Sequence, residues 1–528
     1  MIKELFRIIK KEIGEETEFD VQVSENPQFG HYATNAALRL AGVLKRPPIE
    51  VARDLAERIK KKDAKEFFEK IEAVPPGFIN FWLSTDTFQK ELSEILKKKE
   101  RYGRLSAARE KAQVEFVSSN PTGPLTLANG RGGFFGDALA AVLEAAGFKV
   151  EREYYVNDTG KQILTLGKSL LAARGFLPDE ESFYKGDYVK SWAEEHADLV
   201  KKFHGAPMKL GGRAAKDFLA SIKAALSKKA RIRFDRWTSE EKDIRAKGYD
   251  KKVMSLFRKR GFAYDKDGAV WLKTTDFGDD KDRVLVTSDK FSTYFLSDAG
   301  HYLETKKRGF GFKINILGPD HHGYVSRIQA VARIVGLKHS EVIITQAVRL
   351  LRNGIEVKMS KRKGDFVTFE SLVGEVGLDP ARFFFLMYAP ETHMDFDLEL
   401  AKERSMKNPV YYAQYAYVRM GSILAKFKGA RGKKADLTFL KSEAEANLMR
   451  ELVKLPDIVA ATAKDYRLNR LPRYAVQIAR TFHNFYERER VLDKDPNLSA
   501  ARIALVKAAR YILGSVFDLL GITKLDKM

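Results

Sequence analysis

Residues 114–156 read VEFVSSNPTGPLTLANGRGGFFGDALAAVLEAAGFKVEREYYV, and the succession of patterns within them decides the fold. VEFVSS is an apolar, β-branched run that predicts a strand over 114–119. Asn120, Pro121, Gly123 and Pro124 then break it. A helical pattern resumes near Gly132, where Phe135, Leu139, Leu143 and Ala146 fall on one stripe and Gly147 supplies a stop. FKVEREYYV, residues 148–156, is the next strand. Strand, turn, helix, strand is the opening unit of a doubly wound α/β fold, which binds ligands beyond the carboxyl ends of its strands. The Gly/Pro turn ahead of the helix is therefore the expected docking place of a nucleotide, with Pro121, Gly123, Thr126, Asn129 and Gly130 as candidate contacts.

Downstream, residues 180–270 are charged, helical and irregular and read as an insertion. A second α/β set follows in VLVTS (284–288), INILGPDHHG (314–323) and EVIITQAVRLL (341–351), so the catalytic unit, 106–400, is a split Rossmann-type domain. Upstream, residues 1–105 predict an N-terminal α+β domain. Ile49, Ala52, Leu55, Ala56 and Ile59 make a helix that starts at Pro47 and Pro48, and GFINFWLS (77–84) is an aromatic strand. The polar stretch KKKERYGR (97–104) suits a linker. Residues 401–528 predict a C-terminal all-α helical bundle, whose last helix has Ser499 as its N-cap and Gly521 as its stop. The fold class is α/β multidomain.

With 528 residues, 44% of them apolar, the chain has material for several cores. No apolar run approaches the roughly 18 residues of a membrane span, and MIKELFRIIKKEIGEE has no cleavage pattern, so a cytoplasmic protein without membrane contact is expected. Zero cysteines exclude disulfides and thiolate metal sites. The nine histidines show no HExxH pair, and no structural metal is expected. Lys and Arg number 93 against 71 Asp and Glu, a surplus of 22 that favours a polyanionic partner.

A second phosphate candidate is VKMSKRKGDFVTF (357–369), which gathers Lys358, Lys361, Arg362, Lys363 and Gly364 ahead of a helix capped by Thr368. Its Lys-Met-Ser-Lys-Arg spacing resembles the mobile lysine loop of class I aminoacyl-tRNA synthetases. VEFVSSNPTGPLTLANGRGGFFGDALA, EREYYVNDTGKQI, TTDFGDDKDRVLV, GPDHHGYVSRIQA, KMSKRKGDFVTFESL, RFFFLMYAPETHMDFDLELA and NPVYYAQYAYVRM resemble, in order and spacing, arginyl-tRNA synthetases of the bacterial type. The resemblance runs from FGHYATNAALRLA (29–41) to the final LLGITKLDKM. It implies that the first domain contacts the elbow of tRNA, that the last binds the anticodon, and that the chain joins L-arginine to tRNA using ATP with Mg²⁺. A monomer is expected. Tyr411, Tyr412, Tyr415 and Tyr417 could either stack on anticodon bases or pack the bundle, and packing is favoured for two of them.

A guanidinium is a planar fork of donors that needs in-plane carboxylate and hydroxyl acceptors. By the resemblance, Glu115, Ser119, Asn120, Tyr294 and Asp298 surround the arginine, with His321 of GPDHHG near the pocket wall. Tyr294 and Asp298 share a face if TYFLSDAGHYL is helical. The reaction implied has two steps. The arginine carboxylate attacks the α-phosphorus of ATP in line, pyrophosphate leaves, and a hydroxyl of the terminal adenosine of tRNA then takes the arginyl group. No protein nucleophile is needed, so Lys358 and Lys361, with Met359 and Ser360 on the same loop, would hold the triphosphate.

The signature turn of most members reads His-x-Gly-His, whereas this chain carries Thr126-Leu127-Ala128-Asn129. Thr126 and Asn129 offer only neutral donors. The expectation is an active enzyme that leans on its lysine loop. The alternative is a tRNA-binding relative that has lost adenylation, against which stand Lys358, Lys361, Glu115 and Asp298. A class I synthetase for another amino acid would lack the acidic pair.

Overall fold

A computed structural model describes the chain apart from residues 15, 25–26, 64–65, 107–109, 358–366 and 428–434. The N-terminal unit comprises α1 (Ile2–Ile13), β1 (Val21–Val23), β2 (Tyr32–Thr34), α2 (Ala36–Leu44), α3 (Pro48–Lys61), β3 (Phe68–Val74), β4 (Phe78–Leu83) and α4 (Thr85–Lys98). Its antiparallel sheet has the order β1-β2-β4-β3. The stretch read as a linker is structured: α4 covers its first two residues and Tyr102 is buried, its hydroxyl donating to Glu91.

The chain then enters the main sheet with β5 (Lys111–Glu115), α5 (Leu127–Ala145) and β6 (Lys149–Val156). The helices α6 (Lys161–Ala173), α7 (Asp187–Glu195), α8 (Ala197–Lys202) and α9 (Pro207–Ala224) lead to β7 (Arg236–Ser239). Next come α10 (Tyr249–Lys259), β8 (Ala263–Lys266), β9 (Ala269–Leu272), β10 (Arg283–Val286), α11 (Tyr294–Lys307), β11 (Phe312–Leu317), α12 (Val325–Val335) and β12 (His339–Ile344). Five strands form one parallel sheet in the order β12-β11-β5-β6-β7. The order reverses between β5 and β11, which places the crevice of this fold beyond Glu115 and Leu317.

Several elements differ from the sequence pattern. VEFVSS stops being a strand at Glu115, because Val117 and Ser118 turn into the left-handed region with φ of 67° and 37°. The Ser118 hydroxyl oxygen accepts the Tyr155 N–H at 3.1 Å and holds that turn. The following helix begins at Leu127 rather than near Gly132, since Thr126 and Asn129 form a reciprocal capping box there. VLVTS contributes β10 to a separate antiparallel sheet, β10-β9-β8, and is not part of the parallel set. The stretch read as an insertion donates β7 to the edge of the main sheet. EVIITQAVRLL is two strands of different sheets, split where the Gln346 N–H turns to the Pro390 carbonyl.

Beyond the sheet lie β13 (Val348–Arg352), β14 (Ile355–Glu356), α13 (Phe369–Val376), α14 (Leu378–Leu386), β15 (Met394–Asp397) and α15 (Leu398–Lys402). The helical unit is α16 (Pro409–Lys426), α17 (Glu443–Leu452), α18 (Leu455–Asp465), α19 (Arg470–Arg488) and α20 (Pro496–Leu520). The cap of α20 is Asp495, whose carboxylate accepts the Asn497 N–H at 2.8 Å. Ser499 lies inside the helix with its hydroxyl on the Asp493 carbonyl, while Gly521 ends the helix with φ of 68°. Tyr417 is buried and Tyr412 packs against the core, whereas Tyr411 and Tyr415 are half-buried.

The N-terminal unit docks on the helical unit: the Gln89 amide donates to the Leu440 carbonyl at 3.2 Å, and α4 packs on α17 and α20. Arg382, fully buried in α14, donates to the Ala230 carbonyl and to Asp137 of α5, and its guanidinium lies against Gly521. The helical unit is thereby keyed to the helix that starts the catalytic crevice.

Candidate active site

The crevice holds a cleft of about 410 Å³, lined on one side by Ser119, Asn120, Thr122, Gly123, Thr126 and Asn129 and on the other by Phe183, Tyr184 and Tyr188. Gly123 is needed there, because a Cβ would lie 2.8 Å from the Tyr188 ring. Pro121 is buried and does not line the cleft. Gly130 is a packing residue: its N–H donates to the Thr126 carbonyl, and a Cβ would meet Phe369 at 2.2 Å.

Thr126 and Asn129 serve each other first. The Thr126 N–H and hydroxyl both donate to Asn129 Oδ1 at 2.9 Å, and the Asn129 N–H returns to Thr126 Oγ1 at 3.5 Å. This leaves Asn129 Nδ2 outside the cap, together with the first-turn amides of Leu127 and Ala128. Thr126 also forms a β-bridge with Thr368, and the Phe369 N–H donates to the Leu125 carbonyl at 3.0 Å. Thr368 caps α13 through the Ser371 N–H at 3.0 Å. The exit of the lysine segment is thus fastened to the signature turn. Lys358, Met359, Ser360 and Lys361 themselves lie outside the described residues.

α11 begins at Tyr294 and carries Asp298 one turn later on the same face. Tyr294 is exposed, its hydroxyl 3.4 Å from Gln162 Oε1, and it lies close enough to Tyr184 of the cleft to interact electrostatically. Asp298 accepts a hydrogen bond from the Tyr324 hydroxyl. Burial, reinforced by the negative charges of Glu240 and Glu115, pushes its carboxyl up to about 7 despite that bond. A carboxyl so placed gains strongly from a bound cation. His321 is exposed on the turn after β11 and meets the Tyr324 ring edge-on at 6.2 Å.

Glu115 is less free than its sequence position implies. It is buried and accepts from Lys313 Nζ at 2.9 Å, Asn315 Nδ2 at 2.6 Å and the Ser118 hydroxyl at 3.3 Å. Its charge is matched inside the protein. The network continues through His301, 3.8 Å from Glu115 and 3.2 Å from Glu153. Burial would raise the Glu153 carboxyl, but His301, Lys313 and the Thr238 hydroxyl hold it well below the carboxylate range. Among the described residues, Glu153, His301 and Glu304 bring ligand atoms within 4.8 Å of one another. Arg236 and Arg308 bridge both glutamates and supply the positive charge there.

Sequence reasoning missed Tyr324, Glu240, Lys313 and Arg131. Glu240 is buried and takes both Nε and Nη2 of Arg245, at 2.8 and 2.6 Å. Arg131, in the first half of α5, is buried with its guanidinium on backbone carbonyls: Gln346 at 2.8 Å, and Ala389 and Thr392 at 2.9 Å. It ties the signature helix to the segment that leads into β13. One signal was available: a lysine inside the apolar run KINIL pairs in register with Gln113, as Asn315 does with Glu115.

The reversing parallel sheet, with a capped Gly/Pro turn at its switch point, is matched over residues 91–383 by the model of the class I (R) tRNA synthetase catalytic domain. The chain is a class I aminoacyl-tRNA synthetase. The arginyl-tRNA synthetase N-terminal domain model matches residues 1–83, and the DALR anticodon-binding domain model matches 413–528. The arginine–tRNA ligase of Syntrophotalea carbinolica is 39% identical, over 97% of this chain and 95% of its own. That of Listeria monocytogenes is also 39% identical, over 100% and 98%. The arginyl-tRNA synthetase structure from Thermus thermophilus shares the fold, with a TM-score of 0.80, 21% identity and full coverage of both chains. The chain belongs to the arginyl-tRNA synthetase family.

Proposed function

We infer that this chain activates L-arginine with ATP and transfers it to its cognate tRNA. The observation that carries this reading is the near full-length match to arginine–tRNA ligases, in a fold whose cleft is lined by the capped Gly/Pro turn and whose α11 carries Tyr294 and Asp298 on one face.

In the reading proposed for the site, Asp298 and Tyr294 take the guanidinium, as an anion and a hydroxyl on one helix face. Asn120 and Ser119 line the path between guanidinium and phosphate. Glu115, paired with Lys313, adds a minor part of the negative field at Asp298 without itself closing on the substrate. At the other end, Asn129 Nδ2 and the amides of Leu127 and Ala128 offer neutral donors to phosphate oxygens. Lys358 and Lys361 supply the charge that the turn lacks, with Mg²⁺ carried in on ATP. The arginine carboxylate attacks the α-phosphorus in line, and catalysis consists of alignment and stabilisation of charge on the leaving pyrophosphate. Residues 1–105 and 401–528 are proposed as the tRNA elbow and anticodon contacts flanking the catalytic unit 106–400, in a cytoplasmic monomer.

ATP–pyrophosphate exchange, run with arginine and both with and without tRNA, tests this. Arginine-dependent exchange is expected, and Lys361→Ala should slow it by about a hundredfold or more. Absence of exchange under both conditions would remove the enzymatic reading.

A further inference from the structure

Away from the catalytic crevice, a cleft of about 460 Å³ opens between the N-terminal sheet and the helical unit. Gly30, His31 and Phe88 line one wall, and Arg450, Lys454 and Arg488 stand on the other. The orientation of His31 is fixed. The Leu83 N–H donates to its Nδ1 at 2.9 Å, and its ring lies edge-on to Phe88, centroids 5.2 Å apart. Rotating the ring would replace that acceptor by a C–H. Nδ1 therefore keeps its lone pair, and the proton of the neutral ring sits on Nε2.

Nε2 faces Arg450 Nη1 at 3.3 Å, and a guanidinium nitrogen is also a donor. Two donors confront each other. Protonating the ring only worsens the conflict, since Nδ1 would then oppose the Leu83 amide. Burial, with the positive charges of Arg450 and Lys454, pushes His31 down to about 4 and keeps it neutral. Arg450 is half-buried and uses Nε on the Ala446 carbonyl at 3.3 Å. Lys454 is held by Glu451 at 2.7 Å, and Glu443 lies exposed at the rim.

We propose that this cleft binds a phosphate-class oxyanion, one oxygen of which accepts from both His31 Nε2 and the Arg450 guanidinium. The donors converge from two structural units, and Arg488 adds charge from α19. The volume lies in the range of small-ligand sites, so there is room for more than the phosphate itself. The phosphate can come from an RNA backbone or from a free phosphate compound, and the cleft chemistry is the same for both.

The test uses the full-length protein with isotope-labelled histidine, the His31 signal assigned through His31→Gln. Inorganic phosphate, titrated against chloride at matched ionic strength, should shift that signal saturably. Arg450→Gln should weaken the effect about tenfold, as for loss of one charge-assisted donor. Glu443→Gln should strengthen it, and this variant keeps the test valid if Arg450→Gln fails to fold. If RNA supplies the phosphate, tRNA displaces inorganic phosphate from His31, and Arg450→Gln raises the KM for tRNA while those for ATP and arginine stay unchanged. If a free compound supplies it, the His31 response persists with tRNA present and the tRNA KM does not move. A His31 signal indifferent to both phosphate and tRNA overturns the proposal.

Discussion

The Thr126 hydroxyl donates to the side-chain carbonyl of Asn129 at 2.9 Å, so the two residues that, by the family resemblance, take the places of the signature histidines are each other's hydrogen-bond partners. The pair starts α5 before it does anything for a nucleotide. Restoring imidazoles there exchanges a helix cap for phosphate donors.

Thr126→Val removes both the acceptor for the Asn129 amide and the donor to its carbonyl, and should cost about 0.5–2 kcal/mol of stability, the usual value of an N-cap. Thr126→Ser should keep most of it. The histidine double variant, Thr126→His with Asn129→His, should melt at lower temperature yet adenylate at least as fast as the parent. Thermal unfolding alongside pyrophosphate exchange separates the effects. A Val variant with unchanged melting would show that the cap carries no weight.

Asp298 gives a pH signature. Its folded carboxyl, pushed up to about 7, holds a proton that the unfolded chain has already lost above its ordinary value near 3.8. The native state thus binds more protons across that interval, and this group's contribution to stability falls as pH rises from about 4 to about 7. In the proposed pocket arginine pairs with the ionised form, so its affinity should rise with pH below 7, by at most about tenfold per unit, and then level off. Asp298→Asn should abolish both trends. Calorimetric titration of arginine between pH 5 and 8 would reveal a slope surviving in Asp298→Asn, which would place the titrating group elsewhere.

Gly130→Ala puts a methyl group 2.2 Å from Phe369. The neighbour is a buried ring at the start of α13, so the expected cost is about 1–3 kcal/mol, as for overpacking elsewhere. Adenylation should fall with it, because the displaced ring follows directly on the lysine segment. Phe369→Leu in the same chain should restore part of both. A fully stable, fully active Gly130→Ala would remove the packing assignment.

Lys313→Met leaves the Glu115 carboxylate buried without its cation, and should destabilise the protein by about 3–5 kcal/mol. Adding Glu115→Gln removes the stranded charge and should recover most of that loss. A double-mutant cycle on unfolding free energy measures the coupling. Additive losses would mean that the two side chains do not depend on each other.

These cases also mark what could be read from the chain. The strand–turn–helix unit was legible because its apolar spacing changes period within forty residues. The helix start was not, because Gly130 and its neighbours look like a loop when they are in fact sites of close packing. VLVTS misled because apolar, β-branched content is the same in a parallel and an antiparallel strand. Asp298 and Tyr294 were named from the family resemblance, and their four-residue spacing puts both on one face of α11. The partners of Glu115 lie about 200 residues away, and only strand register brings Lys313 and Asn315 beside it. Tyr324 likewise meets Asp298 from a different element, and no local pattern marks it.

The β-bridge between Thr126 and Thr368 makes the lysine segment a tethered reagent. Lys361 lies seven residues before Thr368, so even a fully extended chain keeps its backbone within roughly 25 Å of the anchor. In the proposed mechanism its encounter with a triphosphate at the turn is an intramolecular event, governed by an effective concentration rather than by diffusion. That concentration falls only as roughly the 3/2 power of tether length. Added residues between Lys361 and Thr368 should therefore dilute the lysine gently, whereas loosening the anchor at Thr368 dilutes it at once.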